Sequence, residues 1–295
     1  MRATFSFLVL LILILLCGAL LASPVYIILD IYFNPEFNKV ITLVTNICGL
    51  LLILFYLQFY KILNRETIGY SQQRSFIMPD LLKSFAAGTI IIAVLELLLF
   101  VFGIRGPEDD PDFRLSAIIK LLITALLSGL MVGILEETIY RGALQGGLQK
   151  LAGPVSAIIT SSVIYSAVHF IKFPNLPDNS EIHWYTGLEV LQESFHRFED
   201  PAIFDHFLAL FAFGVLLALI RIKNGNIYQC IGLHAGAVFA IKIFKDFTDH
   251  VPDTQFDFLV NTYNHQLGYL ALVWLILITV FYYRLKFHPE LTGNK

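Results

Sequence analysis

The stretch GILEETIYRGAL, residues 133–144, places two adjacent glutamates and an arginine inside a long apolar segment. Near the centre of a bilayer, a charged side chain costs roughly 2.5–3.5 kcal/mol even on the insertion scale. Ionisable residues at that depth therefore indicate a functional site by default. Glu136, Glu137 and Arg141 are the starting point for interpreting the rest of the chain.

Helical geometry divides these three charges. Glu137 and Arg141 are four residues apart and share one helix face, so they can pair. Glu136 points about 100° away from Glu137. The pattern predicts one carboxylate neutralised by arginine and one carboxylate left for chemistry; the alternative is a packing cluster in which both glutamates are engaged.

The composition indicates a membrane protein. The 295 residues are 57% hydrophobic and 15% charged, whereas soluble domains are about 45–50% apolar and about 25% charged. The predicted fold class is all-α: a polytopic membrane protein, a bundle of about eight transmembrane helices with a polar intramembrane cavity. Its apolar runs lie near 5–28, 40–60, 85–104, 115–144, 154–172, 206–222, 227–244 and 267–286.

The chain is predicted to have three parts: N-terminal transmembrane helices over 1–114, a core over 115–245, and a C-terminal loop and last helix over 246–295. The first apolar run resembles a signal peptide, but it is long enough to cross a bilayer. We expect it to be a retained signal-anchor helix. The connector at about 172–205 is expected at the membrane interface and partly helical.

Orientation follows from the basic residues in alternate loops. The side carrying both termini holds eleven Lys and Arg, whereas the other holds eight Lys and Arg and seventeen of the 23 acids. We therefore expect a multi-pass protein of the cell membrane with both termini in the cytoplasm.

Two histidines fall within apolar runs. The turn after the fourth run is expected near 152–154, and Glu136 precedes it by as many residues as His169 follows it, so an antiparallel hairpin would place both at one height. His234 lies in a late apolar run between two glycines that are four residues apart, a spacing that allows close helix packing. The spacing predicts that His234 approaches the glutamate helix; the alternative for each histidine is a satisfied core residue. The small-residue pairs are Gly129 and Gly133, Gly142 and Gly146, and Gly232 and Gly236.

These side chains fit a site that activates water, with a glutamate as general base, a histidine sharing the proton and another donor stabilising the oxyanion. Neither Ser161-Ser162 nor Cys230 lies in a nucleophile motif. A zinc site is open by ligand type, but the spacing is not HExxH, and no metal or cofactor is predicted. The basic residues are scattered and no phosphate-binding glycine loop is present, so nucleic acid is not an expected partner.

The residues resemble a family, the CAAX prenyl endopeptidase and bacteriocin-processing (CPBP) intramembrane proteases, also called the abortive-infection family. Its motif EExxxR is similar to residues 136–141, its aromatic-xxx-His motif to Tyr165 and His169, and its late histidine to His234. The resemblance covers about 115–245. It implies a helical bundle with a conical cavity open toward the cytoplasm.

By the resemblance, Glu136 and His169 activate the hydrolytic water. Arg141 holds Glu137 and the geometry of the site, and His234 helps to stabilise the oxyanion. The sequence departs from the family at Val238, where many members have an asparagine that assists the oxyanion. Gln229 and Asn226 are the nearby polar candidates to replace it.

The predicted function is therefore an intramembrane endopeptidase that hydrolyses a membrane-proximal peptide bond by glutamate/histidine water activation. Its partners are the lipid bilayer and a peptide or protein substrate, with lipidation left open. A non-catalytic scaffold or immunity protein using the same cavity is the alternative that Val238 favours. A proton-coupled transporter is the weakest alternative, because no repeats or paired broken helices are visible.

Overall fold

The structure is a computed structural model that describes residues 2–177, 180–260, 262 and 265–287, with the side chains of residues 2–4 excepted. In that part of the chain the helices and strands are α1 (Arg2–Phe33), α2 (Phe37–Phe59), α3 (Arg65–Ile68), α4 (Arg74–Val101), β1 (Arg105–Pro107), α5 (Leu115–Glu137), a π-helix (Thr138–Leu144), α6 (Gln145–Ala152), α7 (Pro154–Val168), α8 (Thr186–Glu193), α9 (Phe204–Asn224), α10 (Tyr228–Phe247), β2 (Thr248–His250) and α11 (Tyr269–Phe287), with short 3₁₀ helices at His196–Glu199, Pro201–Ile203 and Asp257–Leu259.

The predicted fold class is confirmed. Each of the eight apolar runs contains a helix, and within the described residues six helices are long and apolar enough to cross a membrane. Two of the eight do not meet that criterion. Helix α7 has only 15 residues, and α10 carries Lys242, Lys245 and Asp246 near its end. Both are flanked by other helices, which supply the apolar surroundings that lipid would otherwise provide.

Helix α10 packs between α4 and α5, and glycines set these contacts. Gly129 and Gly133 of α5 face Ala235 and Ile231 of α10, so these two helices run antiparallel and approach closely. This is the packing that the sequence predicts for His234. Without a hydrophobic driving force between helices in lipid, such close packing is a main source of association.

The other small-residue pairs have different partners. Gly232 and Gly236 of α10 lie against Leu81 and Phe85 of α4, and the order of these contacts shows that α4 and α10 run parallel. The pair in the π-helix and α6, Gly142 and Gly146, lies against α3. The glycines beside His234 therefore face α4, whereas the approach of His234 to the glutamate helix depends on Gly129 and Gly133 of α5.

Three further contacts complete the bundle. Helices α7 and α9 are antiparallel, with Gly214 against Ser162 and the Ser166 hydroxyl donating to the carbonyl of Phe207 at 2.6 Å. Helix α2 returns along α1. Helix α8, in the connector expected at the interface, lies on α1, where the amide of Gly187 donates to Ser23 at 3.2 Å. The connector is partly helical, as expected.

A small β-ribbon is an exception to the all-α expectation. Strands β1 and β2 pair antiparallel with Arg105 opposite His250. They form because α4 and α10 run parallel and end at the same end of the bundle, so the chain segments that follow them meet. A buried ion pair supports the ribbon: Arg105 lies 3.5 Å from Glu96 of α4, and Gln266 also donates to Glu96.

One expectation lies partly outside the description. The C-terminal part was expected over 246–295, and residues 288–295 are not described. The predicted turn between the hairpin helices is present, because Gly153 takes a φ of +83° at the point where α6 ends and Pro154 begins α7. A φ of that sign favours glycine.

Candidate active site

The EExxxR segment lies where the long helix widens. Helix α5 ends at Glu137, the next seven residues form a π-helix, and α6 continues the same run to Ala152. Single π-turns inside α-helices occur frequently at functional sites. The sequence predicts an α-helix over this segment, and the π-helix is a departure from that prediction.

Glu137 faces into the protein and is fully buried. Its Oε1 atom lies 3.2 Å from Nη1 of Arg141 and 2.8 Å from Nδ1 of His234. Arg141 also donates to the carbonyl of Gly214 at 3.3 Å, and its guanidinium lies 4.4 Å from the ring centroid of Tyr165. The structure thus pairs Glu137 with Arg141, and it adds a histidine that the sequence did not assign to this carboxylate.

Glu136 faces the other way, toward His169 and His234. Its Oε2 atom lies 3.9 Å from Nε2 of His169 and 3.9 Å from Nε2 of His234. The side chains of Glu136 and His169 are 29% and 30% exposed, and Oε2 has no hydrogen-bond partner among the described residues. The structure therefore brings the three predicted catalytic side chains together around one free carboxylate oxygen.

The hydrogen bonds of the two histidines assign their protons. Nδ1 of His169 lies 2.6 Å from the carbonyl oxygen of Tyr165, and a carbonyl can only accept, so Nδ1 carries the hydrogen. Nδ1 of His234 faces the Glu137 carboxylate at 2.8 Å and carries a hydrogen for the same reason. In the neutral form of each ring, Nε2 therefore presents a lone pair toward Glu136.

A cavity of about 200 Å³ lies above these side chains. Its wall is mostly apolar, and its polar members are Tyr165, His169, His206, His234 and Trp274. His206 and Trp274 are absent from the sequence-based site. His206 opens an apolar run, and a search for every histidine at the edge of such a run would have found it.

Val238 lines this cavity, one helical turn beyond His234. The polar candidates to replace the expected asparagine do not line it. Gln229 accepts from Asn224 at 2.8 Å, and Asn226 accepts from the amide of Tyr228 at 3.1 Å. Both lie in or beside the turn before α10, at the opposite end of that helix from the cavity, so neither supplies the missing donor.

The cavity extends toward one end of the bundle. On α10 its lining runs from His234 toward the C-terminus, on α4 it includes Leu95, and on α9 it begins at His206. All three directions lead to the β-ribbon end, where the acidic loops lie. The two orientation expectations therefore conflict, because termini in the cytoplasm place this end on the other side, whereas the resemblance implies a cavity facing the cytoplasm.

The positions of the His, Cys, Asp and Glu side chains were compared with what a metal site requires. Within the described residues, no group of three or more His, Cys, Asp or Glu side chains is placed so that it could hold one ion. The three cysteines are free thiols, with Cys48 and Cys230 buried and Cys17 half-buried.

The fold and the cluster define a class: a multi-pass helical membrane protein with a carboxylate–histidine site at the centre of the bundle. Residues 118–240 match the family model of type II CAAX prenyl endopeptidases, Rce1-like. The match contains Glu136, Arg141, His169 and His234, and it confirms the family resemblance for this part of the chain. No curated protein and no solved structure matches the chain.

Proposed function

We propose that the protein is an intramembrane endopeptidase that hydrolyses a membrane-proximal peptide bond by water activation at Glu136 and His169. The observation that carries the proposal is the position of Oε2 of Glu136, 3.9 Å from Nε2 of both His169 and His234, without a hydrogen-bond partner among the described residues. The family match at residues 118–240 supports peptide hydrolysis as the chemistry.

The geometry favours a water bound to two acceptors at once. Separations of 3.9 Å are too long for direct hydrogen bonds, but one water can reach both Oε2 of Glu136 and the Nε2 lone pair of His169. That water donates one hydrogen to each and directs its oxygen lone pair toward a peptide carbonyl. Glu136 takes the water proton as the C–O bond forms, and later delivers it to the leaving amine nitrogen as the C–N bond breaks.

The contacts of the His234 ring support a role for it at the oxyanion. Nδ1 lies 2.8 Å from Oε1 of Glu137, which holds the ring in place, and Nε2 lies 3.9 Å from Oε2 of Glu136. A hydrogen on Nε2 would donate to the oxyanion.

The cavity supports a peptide substrate that reaches the site from within or beside the bilayer. Its wall is mostly apolar, so an extended segment with apolar side chains is the chemistry that it accommodates. No feature of the site requires a lipid group on that segment. The proposed location is the cell membrane, with the termini in the cytoplasm.

The test compares wild-type protein with Glu136→Ala and with Glu189→Gln, a change on α8 outside the cavity. Purified wild type and Glu189→Gln cleave membrane-associated peptides, while Glu136→Ala retains bound peptides that mass spectrometry identifies. His169→Ala and His234→Ala are also inactive and remain folded and inserted. Cleavage by purified Glu136→Ala protein would refute the proposal, and loss of wild-type activity to a chelator would replace the glutamate mechanism with a metal-dependent one.

One observation favours a second function, a membrane scaffold or immunity protein that binds a peptide without cutting it. Val238 presents an apolar wall at the position where an oxyanion donor is expected, and loss of one such donor typically lowers kcat by about 10²–10³. Under this alternative, a Glu136→Ala protein complements a deletion strain as well as wild type does.

A further inference from the structure

We propose that His206 supplies the oxyanion hydrogen bond that Val238 cannot make. This inference rests on the proposed function and names a further residue for the same reaction. His206 lies outside the EExxxR motif and is neither of the two motif histidines. Its role follows from where the fold places it.

The first argument is position. His206 lies in the first turn of α9, and the Ser166 hydroxyl of α7 donates to the carbonyl of the next residue, Phe207, at 2.6 Å. His206 is therefore level with the end of α7, where His169 lies. The His206 ring meets the edge of Phe170, with the ring centroids 5.3 Å apart. His206, His169 and Val238 all line the same cavity.

The second argument is availability. No hydrogen-bond partner is assigned to either ring nitrogen of His206 within the described part of the chain, so its N–H is free to turn to a substrate. Two other polar side chains of the cavity are less available, one because of a hydrogen bond and one because of burial. Trp274 donates its Nε1–H to the carbonyl of Ile91 at 2.9 Å, and Tyr165 is 1% exposed with the Arg141 guanidinium against its ring.

The third argument is chemical. A neutral imidazole has one N–H donor, which is what the side-chain amide of an asparagine would offer from the α10 wall. Here the donor comes from α9, which lines the same cavity as Val238. His206 donates a hydrogen bond to the oxygen on which negative charge develops, and no proton changes hands, so the proton transfers between water, Glu136 and the leaving amine are unaltered.

The experiment is a suppression test on purified protein. His206→Ala lowers kcat by about 10²–10³ and changes KM little, as expected for a donor that acts in the transition state. Val238→Asn restores most of that loss in the double variant, because it returns a donor to the α10 wall. His206→Gln, which keeps an N–H donor, retains more activity than His206→Ala, and Glu189→Gln on α8, outside the cavity, serves as the control with wild-type activity.

Three outcomes would contradict a role of His206 as the oxyanion donor. If His206→Ala is as active as wild type, or if Val238→Asn fails to raise the activity of the His206→Ala protein, the inference is wrong. Loss of activity in Tyr165→Phe together with normal activity in His206→Ala would assign the donor to Tyr165 instead.

A second readout does not depend on turnover and so separates this inference from the proposed function. A peptide phosphinate with apolar side chains carries a tetrahedral anion like that of the hydrolytic intermediate. Wild type and the Val238→Asn/His206→Ala double variant bind it more tightly than His206→Ala does, by about 10²-fold or more. Equal binding by wild type and His206→Ala, or no saturable binding by wild type, would refute the role of His206, whereas inactivity of wild type alone would refute only the proposed function.

Discussion

Glu136 and Glu137 are neighbours in the chain but lie in opposite electrostatic surroundings. Glu137 is completely buried and is contacted by Arg141 at 3.2 Å and by His234 at 2.8 Å. Glu136 is 29% exposed, and its Oε2 atom has no hydrogen-bond partner among the described residues. The same residue type therefore has two different sets of contacts in adjacent positions: Glu137 is paired with Arg141 and His234, and Glu136 lies near His169 and His234 without a hydrogen bond to its Oε2 atom among the described residues.

This contrast predicts opposite phenotypes for two isosteric substitutions. Glu137→Gln leaves the buried guanidinium of Arg141 without its counter-charge, and breaking a buried pair in this way costs about 3–5 kcal/mol. Glu136→Gln changes a carboxylate whose Oε2 atom makes no hydrogen bond among the described residues, so the fold is retained while cleavage is lost. Thermal unfolding in detergent and a peptide cleavage assay on the same preparations distinguish the two.

The outcome that would contradict this assignment is equally specific. A Glu136→Gln protein that unfolds at lower temperature than Glu137→Gln would mean that Glu136 is the structural carboxylate. The double variant Glu137→Gln/Arg141→Met provides a control, because removal of both partners avoids an unpaired buried charge and is expected to be less destabilising than Glu137→Gln alone.

The close approach of α10 to α4 predicts a second contrast, between two glycines. A Cβ atom added at Gly236 would overlap the carbonyl oxygen of Phe85, whereas at Gly49 it would meet Ile14 at an ordinary 3.5 Å. Gly236→Ala therefore separates the two helices, and we expect lower thermal stability and lower activity. Gly49→Ala is neutral or stabilising, since alanine is the better helix former by about 1 kcal/mol. Equal stability of the two variants would show that α4 and α10 are not packed this tightly.

Features that depend on local geometry were predictable from the sequence. The Glu137–Arg141 pair follows from helical periodicity, and the proximity of Glu136 and His169 follows from equal distances to one turn. These predictions needed no knowledge of other helices. Both pairs lie in contact range in the structure, at 3.2 and 3.9 Å.

Features that depend on which helices are neighbours were not predictable. Small-residue spacing indicates that a helix packs closely, but it does not identify the partner, so the contact of Gly232 and Gly236 with α4 does not follow from the sequence. His206 was missed for the same reason, because its place in the cavity depends on how α9 lies against α7. The second contact of Glu137, with His234, required the packing of α10 on α5.

The loop that follows β2 is expected to respond to acidification. The pKa of His265 is lowered by burial and by the neighbouring His250 and Arg105, with Asp257 opposing this effect; the rings of His265 and His250 stack with centroids 3.9 Å apart. Because the folded pKa lies below the usual value of about 6.5, the packed loop binds the His265 proton less well than the open loop. The contribution of neutral His265 to the stability of the packed loop is fully present above about pH 6.5. It is lost as the pH falls through that value toward the folded pKa.

Hydrogen exchange of residues 248–260 measures this effect. Exchange is faster at about pH 5.5 than at about pH 7.5 after correction for intrinsic rates, since the first value lies below and the second above the ordinary histidine pKa. His265→Asn is the matched control, because asparagine tolerates the positive φ of 50° at this position and does not titrate. A pH response of unchanged size in that variant would assign the effect to another group.

The last prediction concerns the side of the membrane from which the cavity is reached. Lys150 and Asp110 are exposed at opposite ends of the bundle, and the cavity extends toward the end of Asp110. The excess of Lys and Arg at the end of Lys150 predicts that this end lies in the cytoplasm. In intact cells, an impermeant thiol reagent is therefore expected to label Asp110→Cys but not Lys150→Cys, with labelling of the second after permeabilisation. The wild type serves as the blank, because its three cysteines are buried or half-buried. The expected result means that substrates reach the cavity from the non-cytoplasmic side. Labelling of Lys150→Cys but not Asp110→Cys in intact cells would mean that the cavity faces the cytoplasm, as the family resemblance implies.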